Sequence, residues 1–119
     1  LASNLGATFA MCRAALPELR ARGGAIVNMS STAARFPTPG LAIYGASKCA
    51  IEGLTRAMAV EAAPLVRVNA VSAGPTMTET VKALMETDKT GAVAAVTSAL
   101  PLGRLAKPEE IAEVFLFLA

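Results

Sequence analysis

Apolar residues recur at three- and four-residue spacing from Ala2 to about Arg20, as Leu5, Phe9, Cys12, Leu16 and Leu19. That period puts them on one face and predicts an amphipathic helix. Pro17 predicts strain or a kink near its end, and Gly23-Gly24 a stop. A short apolar run from Ala25 to Met29 follows and closes on hydroxyl residues. It predicts a buried strand with Ser31 just beyond its C-terminal end. Phe36-Pro-Thr-Pro-Gly40 is a loop signal. A second helix is predicted over 42–62, where Ala46, Ala50, Gly53, Leu54, Ala57 and Met58 form a face rich in small side chains. Such a face lets another helix or a sheet approach closely. Pro64 ends this helix, and Val66 to Ser72 reads as a second strand. A strand–helix–strand unit of this kind should be parallel and right-handed.

Beyond Gly74 the character becomes more polar. Thr78 to about Lys89 predicts a helix, with Thr78 as its N-cap and Glu79 in its first turn. Gly91 to Leu100 is a short segment rich in alanine and valine. A last helix should start near Lys107-Pro108-Glu-Glu110 and bury Ile111, Val114, Phe115 and Leu118. Arg104 and Glu109 read as a structural pair or as helix-end charges. Asn28, on a strand where asparagine is unfavourable, is expected to satisfy backbone groups across the sheet. There is no internal repeat and no low-complexity linker.

The candidate chemistry lies at the junction of the first strand and second helix. Tyr44-Gly-Ala-Ser-Lys48 places a lysine one helical turn after a tyrosine, and Ser31 stands thirteen residues before Tyr44. An unperturbed phenol ionises near pH ~10, so it is a poor base at neutral pH. A neighbouring ammonium favours the phenolate and brings proton transfer within reach. A serine hydroxyl can hold the oxygen of a reacting carbonyl or alcohol. Taken alone, Tyr-x-x-x-Lys is also what a helix-start tyrosine and an exposed lysine would give. The setting adds weight, because ligand sites in open α/β sheets form where strands end.

With its neighbours, this motif resembles the short-chain dehydrogenase/reductase family over nearly the whole chain. Asn4-Leu-Gly6 resembles the segment of the family's catalytic asparagine, and Gly24-Ala-Ile-Val-Asn-Met-Ser-Ser31 its serine strand. Arg67-Val-Asn-Ala-Val-Ser-Ala-Gly74 resembles its Arg-Val-Asn-x-Val-x-Pro-Gly segment. Pro101-Leu-Gly-Arg-Leu105 and Pro108-Glu-Glu-Ile-Ala112 resemble a later stretch. The resemblance implies that Tyr44 is the general acid/base and that Ser31 orients the substrate oxygen. Lys48 would favour the Tyr44 phenolate and bind the nicotinamide ribose. Asn4 would hold a water linking Lys48 to a proton relay. Tyr44, Lys48, Gly74, Pro75 and Thr78 would bind the cofactor, NAD or NADP, and residues 79–100 would form a substrate lid. The implied function is hydride transfer between nicotinamide and a small carbonyl or alcohol. The first two helices, 2–20 and 42–62, would pack against symmetry mates in a homo-oligomer, a tetramer or dimer. The alternative is a catalytically inactive fragment or an oligomerisation module.

The chain departs from the family's pattern in three places. Ala73-Gly74 stands where the family usually has Pro-Gly, which predicts a less rigid loop, since alanine leaves φ free. The turn Ala63-Pro64-Leu65 is a residue shorter than the commonest family form. Nothing resembles a glycine-rich phosphate loop, because Gly23-Gly24 precedes a strand rather than following one. The expected architecture is therefore α/β. It is the C-terminal, catalytic part of a Rossmann-type, doubly wound parallel sheet in three α/β/α layers. The N-terminal nucleotide-binding half and the last strand are expected to be absent. Residues 1–119 are expected to form one partial domain, an internal fragment of a protein about twice as long.

Composition supports this expectation. Apolar residues make up 54% of the chain and charged residues 17%, more apolar surface than two strands can use. Further strands or partner subunits would account for the excess. The net charge of +2 comes without any basic run, which argues against nucleic-acid binding. No apolar stretch reaches the ~18 residues of a membrane span. Cys12 and Cys49 are isolated and the chain has no histidine, so no metal site is expected. Two lone, reduced cysteines fit a cytoplasmic setting.

Overall fold

The computed structural model describes all residues, 1–119. A π-helical turn, Ala2–Gly6, runs directly into α1, Ala7–Arg22. Next come β1 (Gly24–Ser31), α2 (Ala42–Ala62) and β2 (Val66–Ala73). The chain closes with α3 (Glu79–Thr87), α4 (Ala92–Ala99) and α5 (Pro108–Leu118).

Pro17 lies inside α1 without ending it. Its ring removes the N–H that would bond the Arg13 carbonyl, and both residues are on the exposed side, so that carbonyl is open to solvent. The helix stops at Gly23, whose φ of 77° is a conformation that favours glycine.

β1 and β2 pair in parallel, in register from Gly24 opposite Val66 to Ser31 opposite Ala73. Ser31 is thus the last paired residue of β1 rather than a residue beyond it. The ladder runs through the hydroxyl residues because parallel pairing needs only their backbone groups. Each strand has one paired edge.

Alternation along the strands assigns the two faces of the sheet. Ile26 and Val68 face α1 and α2, and pack with Cys12, Leu16, Leu54, Met58 and Ala62 into the core. Met29 and Ser31 face the other way, toward α5.

The face of α2 turned to the sheet is not the small-residue face. Its buried stripe is Ser47, Lys48, Ile51, Thr55, Met58 and Ala62, while Ala46 and Ala57 are exposed. The stripe is partly polar because β1 presents Asn28 and Ser30 to it. Asn28 also departs from expectation, since its amide bonds side chains rather than backbone. Nδ2 donates to Thr55 Oγ1 at 2.9 Å, and Oδ1 accepts from Cys12 Sγ at 3.4 Å. The Thr55 hydroxyl in turn donates to the Ile51 carbonyl at 2.8 Å. This network joins α1, β1 and α2 at a position only 6% exposed. Asn28→Ala should therefore lower stability by ~1–3 kcal/mol, since it strips buried polar groups of partners. Chemical denaturation checks this, and an unchanged midpoint would show that the network contributes nothing.

Burial on α5 is also less than its period predicts. Ile111, Phe115 and Leu118 are half-buried, but Val114 is 43% exposed, and Leu116 and Phe117 more so. A two-stranded sheet is too narrow to cover so apolar a helix. Arg67 donates to the carbonyls of Leu118 and Ala119, at 2.7 and 2.8 Å, and so caps the end of α5. No helix is long and apolar enough to cross a membrane.

Candidate active site

The two strands end side by side, and the segments leaving them enclose a cleft of about 550 Å³. Met29 and Ser31 of β1, Tyr44 of α2, and Gly74, Thr76 and Thr78 beyond β2 line it. Ile111, Ala112 and Phe115 of α5 form its apolar wall.

Ser31 has extended backbone, and its Oγ accepts from Ala33 N at 3.2 Å. That bond caps a short 3-10 turn, Thr32–Ala34, and leaves the hydroxyl hydrogen free to be donated. Tyr44 is in the first turn of α2 and is 38% exposed, at the cleft. α2 comes this close to the Thr32–Ala34 turn because residue 45 is glycine. A Cβ there would stand 2.8 Å from the Ala33 carbonyl oxygen. The Cys49 thiol, bonded to the Ala34 carbonyl at 2.8 Å, ties the same two segments.

Lys48 lies behind Tyr44 and is only 7% exposed. Its Nζ donates to the Met29 carbonyl at 2.9 Å and is 5.6 Å from the centroid of the Tyr44 ring. A buried ammonium needs partners, and this bond uses one of its three donors. The other two can serve a ribose hydroxyl or a water.

Not every expected site residue reaches the cleft. Asn4 is half-buried in the π-helical turn at the start of α1, which packs against α2, and does not line the cleft. A π-helical turn is often found at functional sites. Gly74 borders the cleft, whereas Pro75 faces a neighbouring hollow beside Leu100 and Arg104. Thr78 both lines the cleft and caps α3, accepting from Val81 N at 3.3 Å.

The loop that Ala73 was expected to loosen is tied at two points. Met77 N donates to the Ala106 carbonyl at 2.8 Å, and Ala106 N to the Pro75 carbonyl at 3.0 Å. Backbone pairing thus restrains the loop that a proline would have stiffened. Arg104 pairs with Glu110 rather than Glu109, through two bonds of 2.7 and 2.8 Å. Hydrogen bonding to Arg104 holds the Glu110 carboxyl down to about 2, and its bond from Lys107 N adds to this. A depressed carboxyl stabilises the fold above the ordinary carboxylate range and loses that effect as pH falls toward 2. Glu110 therefore stays ionised and bonded throughout the neutral range, although a half-exposed pair of this kind adds little stability.

The α5 wall was read from the sequence only as core. Apolar residues carry no chemical signature, and the i, i+4 spacing of Ile111 and Phe115 was the one available signal.

A parallel strand–helix–strand unit with Ser31, Tyr44 and Lys48 near its strand ends is a partial Rossmann-type α/β fold. The family model described as enoyl-(acyl carrier protein) reductase matches residues 1–119, the whole chain. The chain belongs to the short-chain dehydrogenase/reductase family. It is 38% identical to carbonyl reductase family member 4 of Danio rerio, over 99% of this chain and 47% of that protein. It is 40% identical to the 3-oxoacyl-[acyl-carrier-protein] reductase FabG of Thermotoga maritima, over 98% of this chain and 46% of that protein. Among solved structures, ElxO with NADP bound superposes with a TM-score of 0.89 at 31% identity. That match covers 98% of this chain and 47% of ElxO. A 3-oxoacyl-[acyl-carrier protein] reductase with bound NAD from Brucella melitensis gives 0.83 at 36%, over 97% and 41% of the two chains. The chain spans about half the length of the relatives it matches.

Proposed function

We propose that the protein carrying this sequence is an NAD(P)-dependent oxidoreductase acting on a small carbonyl or alcohol. The observation that carries this reading is the placing of Ser31 and Tyr44 on one cleft with the Lys48 ammonium buried behind the tyrosine ring. The residues fit the nicotinamide end of the cofactor. Lys48 has spare donors beside Tyr44, and Gly74 leaves room at the rim, where a Cβ would meet only Thr32 Cγ2, at 4.0 Å. Tyr44, Lys48, Gly74 and Thr78 would hold that end, with Pro75 shaping the loop. Residues 1–119 offer no glycine-rich loop for the pyrophosphate. When bound, the nicotinamide supplies or takes the hydride.

The chain's own residues handle the oxygen and its proton. Ser31 donates to the substrate oxygen and orients it. Tyr44 gives that oxygen a proton in reduction and removes it in oxidation. The Lys48 ammonium stabilises the phenolate left on Tyr44. Asn4 takes part through a water on the Lys48 side. Residues 79–100, none of which lines the cleft, would close over the substrate as a lid.

The test is to purify the natural gene product and mix it with NADH or NADPH and a panel of ketones and aldehydes. Loss of reduced-nicotinamide absorbance with equimolar alcohol is expected. No turnover on any carbonyl, and none on the matching alcohols with NAD or NADP, would sink the reading.

A second reading, an assembly module, has its own support. Phe9, Met11, Ile43 and Val60 on α1 and α2 are 49%, 71%, 68% and 80% exposed. These helices would meet their symmetry mates in a homodimer or homotetramer. Sedimentation of the gene product as a monomer would remove that role.

A further inference from the structure

Glu52 is one helical turn beyond Lys48 on α2, and nothing in the chemistry above uses it. Its side chain is only 12% exposed, although it carries a carboxylate. Oε1 accepts from Ser30 Oγ at 3.1 Å. Oε2 pairs with Arg35 at 3.3 Å and lies 3.9 Å from Arg56. Ser30 is the residue before Ser31, is 2% exposed, and points to the helix side of β1. Arg35 closes the turn after Ser31, its N–H bonded to the Thr32 carbonyl at 2.9 Å. One carboxylate therefore holds both ends of the segment that carries Ser31. It does so from the face of the sheet opposite the cleft.

We propose that Glu52 is a positioning residue for Ser31, acting chiefly through its hydrogen bond with Ser30. The side-chain bond of Ser31 is local, from Ala33 N, and its backbone is held only at the last rung of the ladder, opposite Ala73, where the chain leaves the sheet. The single Ser30 hydroxyl hydrogen is shared between Glu52 Oε1, at 3.1 Å, and the Lys48 carbonyl, at 3.3 Å, with the carboxylate the nearer and stronger acceptor. An exposed ion pair would count for little, and both arginines are mostly exposed. The bond to a buried hydroxyl is different, because Ser30, 2% exposed, has no water to replace the carboxylate and only the longer contact to the Lys48 carbonyl. Misplacing a hydroxyl by a fraction of an ångström costs rate rather than cofactor binding.

The inference rests on the oxidoreductase reading, and its test separates the two. Glu52→Ala and Glu52→Gln are made in the natural gene product. Glu52→Ala should lower kcat by about tenfold or more and leave the KM for NAD(P)H within about twofold. Glu52→Gln should recover most of that loss, because its amide oxygen still accepts from Ser30. Hydrogen exchange at the backbone amides of residues 31–36 should quicken in Glu52→Ala and stay near the parent's rate in Glu52→Gln. Unchanged kcat in Glu52→Ala, or equal damage in both variants, would overturn the proposal. A parent protein inert toward every carbonyl and alcohol would overturn the oxidoreductase reading instead. The exchange rates would then decide by themselves whether Glu52 holds the segment, with unchanged rates in Glu52→Ala refuting it.

Discussion

Replacing Tyr44 with phenylalanine should cut turnover of the gene product by roughly 10²–10⁴-fold, the usual contribution of a positioned acid or base. The substitution removes one oxygen and leaves the ring, which stands 5.6 Å from the Lys48 ammonium. Packing at the start of α2 is therefore preserved, and so is the attraction of that cation for the ring face. Cofactor affinity, read by fluorescence titration, should stay close to the parent value. The expected pattern is a lost kcat with an intact dissociation constant. Retained turnover would remove Tyr44 from the acid/base role. A matching loss of cofactor affinity would mean that the phenol oxygen, and not only the ring, holds the cofactor.

Replacing Lys48 with alanine should lower both quantities. Turnover falls because the phenolate loses its counter-charge. Cofactor affinity falls by about 10–100-fold, the worth of a charge-assisted hydrogen bond. Lys48 is only 7% exposed, and its loss frees the Met29 carbonyl, so alanine by itself could disturb packing. Lys48→Met fills the same space without the charge. A methionine variant with the parent's unfolding midpoint, weakened cofactor binding and little turnover would assign the ammonium its proposed role. Unchanged cofactor affinity in both variants would exclude the ribose contact.

Relatives that match this chain over about half their length include reductases and dehydrogenases of differing substrates. A shared fold does not select a substrate. The cleft in residues 1–119 sets an apolar wall from α5 beside Ser31 and Tyr44.

Much of the architecture was legible in the linear pattern. α2 begins and ends at the residues its period and Pro64 set, and the two strands differ from expectation only at their ends. Thr78 caps α3 as its position suggested. These features depend on neighbours within a few residues, so local sequence is enough. The ordered motifs around Ser31, Tyr44 and Lys48 were also legible, since each is a short run of specific residue types.

Three other features became visible only when distant segments met. The period of α2 suggested a small-residue face, but its contacts with β1 select a polar stripe, because Asn28 and Ser30 need partners there. Arg104 found Glu110 rather than Glu109 because the turn into α5 aims that side chain back along the chain. Glu52 carries no signal in the helix pattern, because its partners lie elsewhere, Ser30 on β1 and Arg35 at the end of the turn after it.

By itself, then, the sequence determined the elements, their order, the family and the residue types available for proton transfer. Those follow from periodicity, turn chemistry and short motifs, which act over a few bonds. Tertiary structure decided which of these residues share a cleft, that Lys48 is buried against Met29, and that Asn4 stays outside. The physical reason is that a helix or strand sets only the direction of a side chain. Its partner, its burial and its electrostatic surroundings come from segments many residues away, and only packing brings those together.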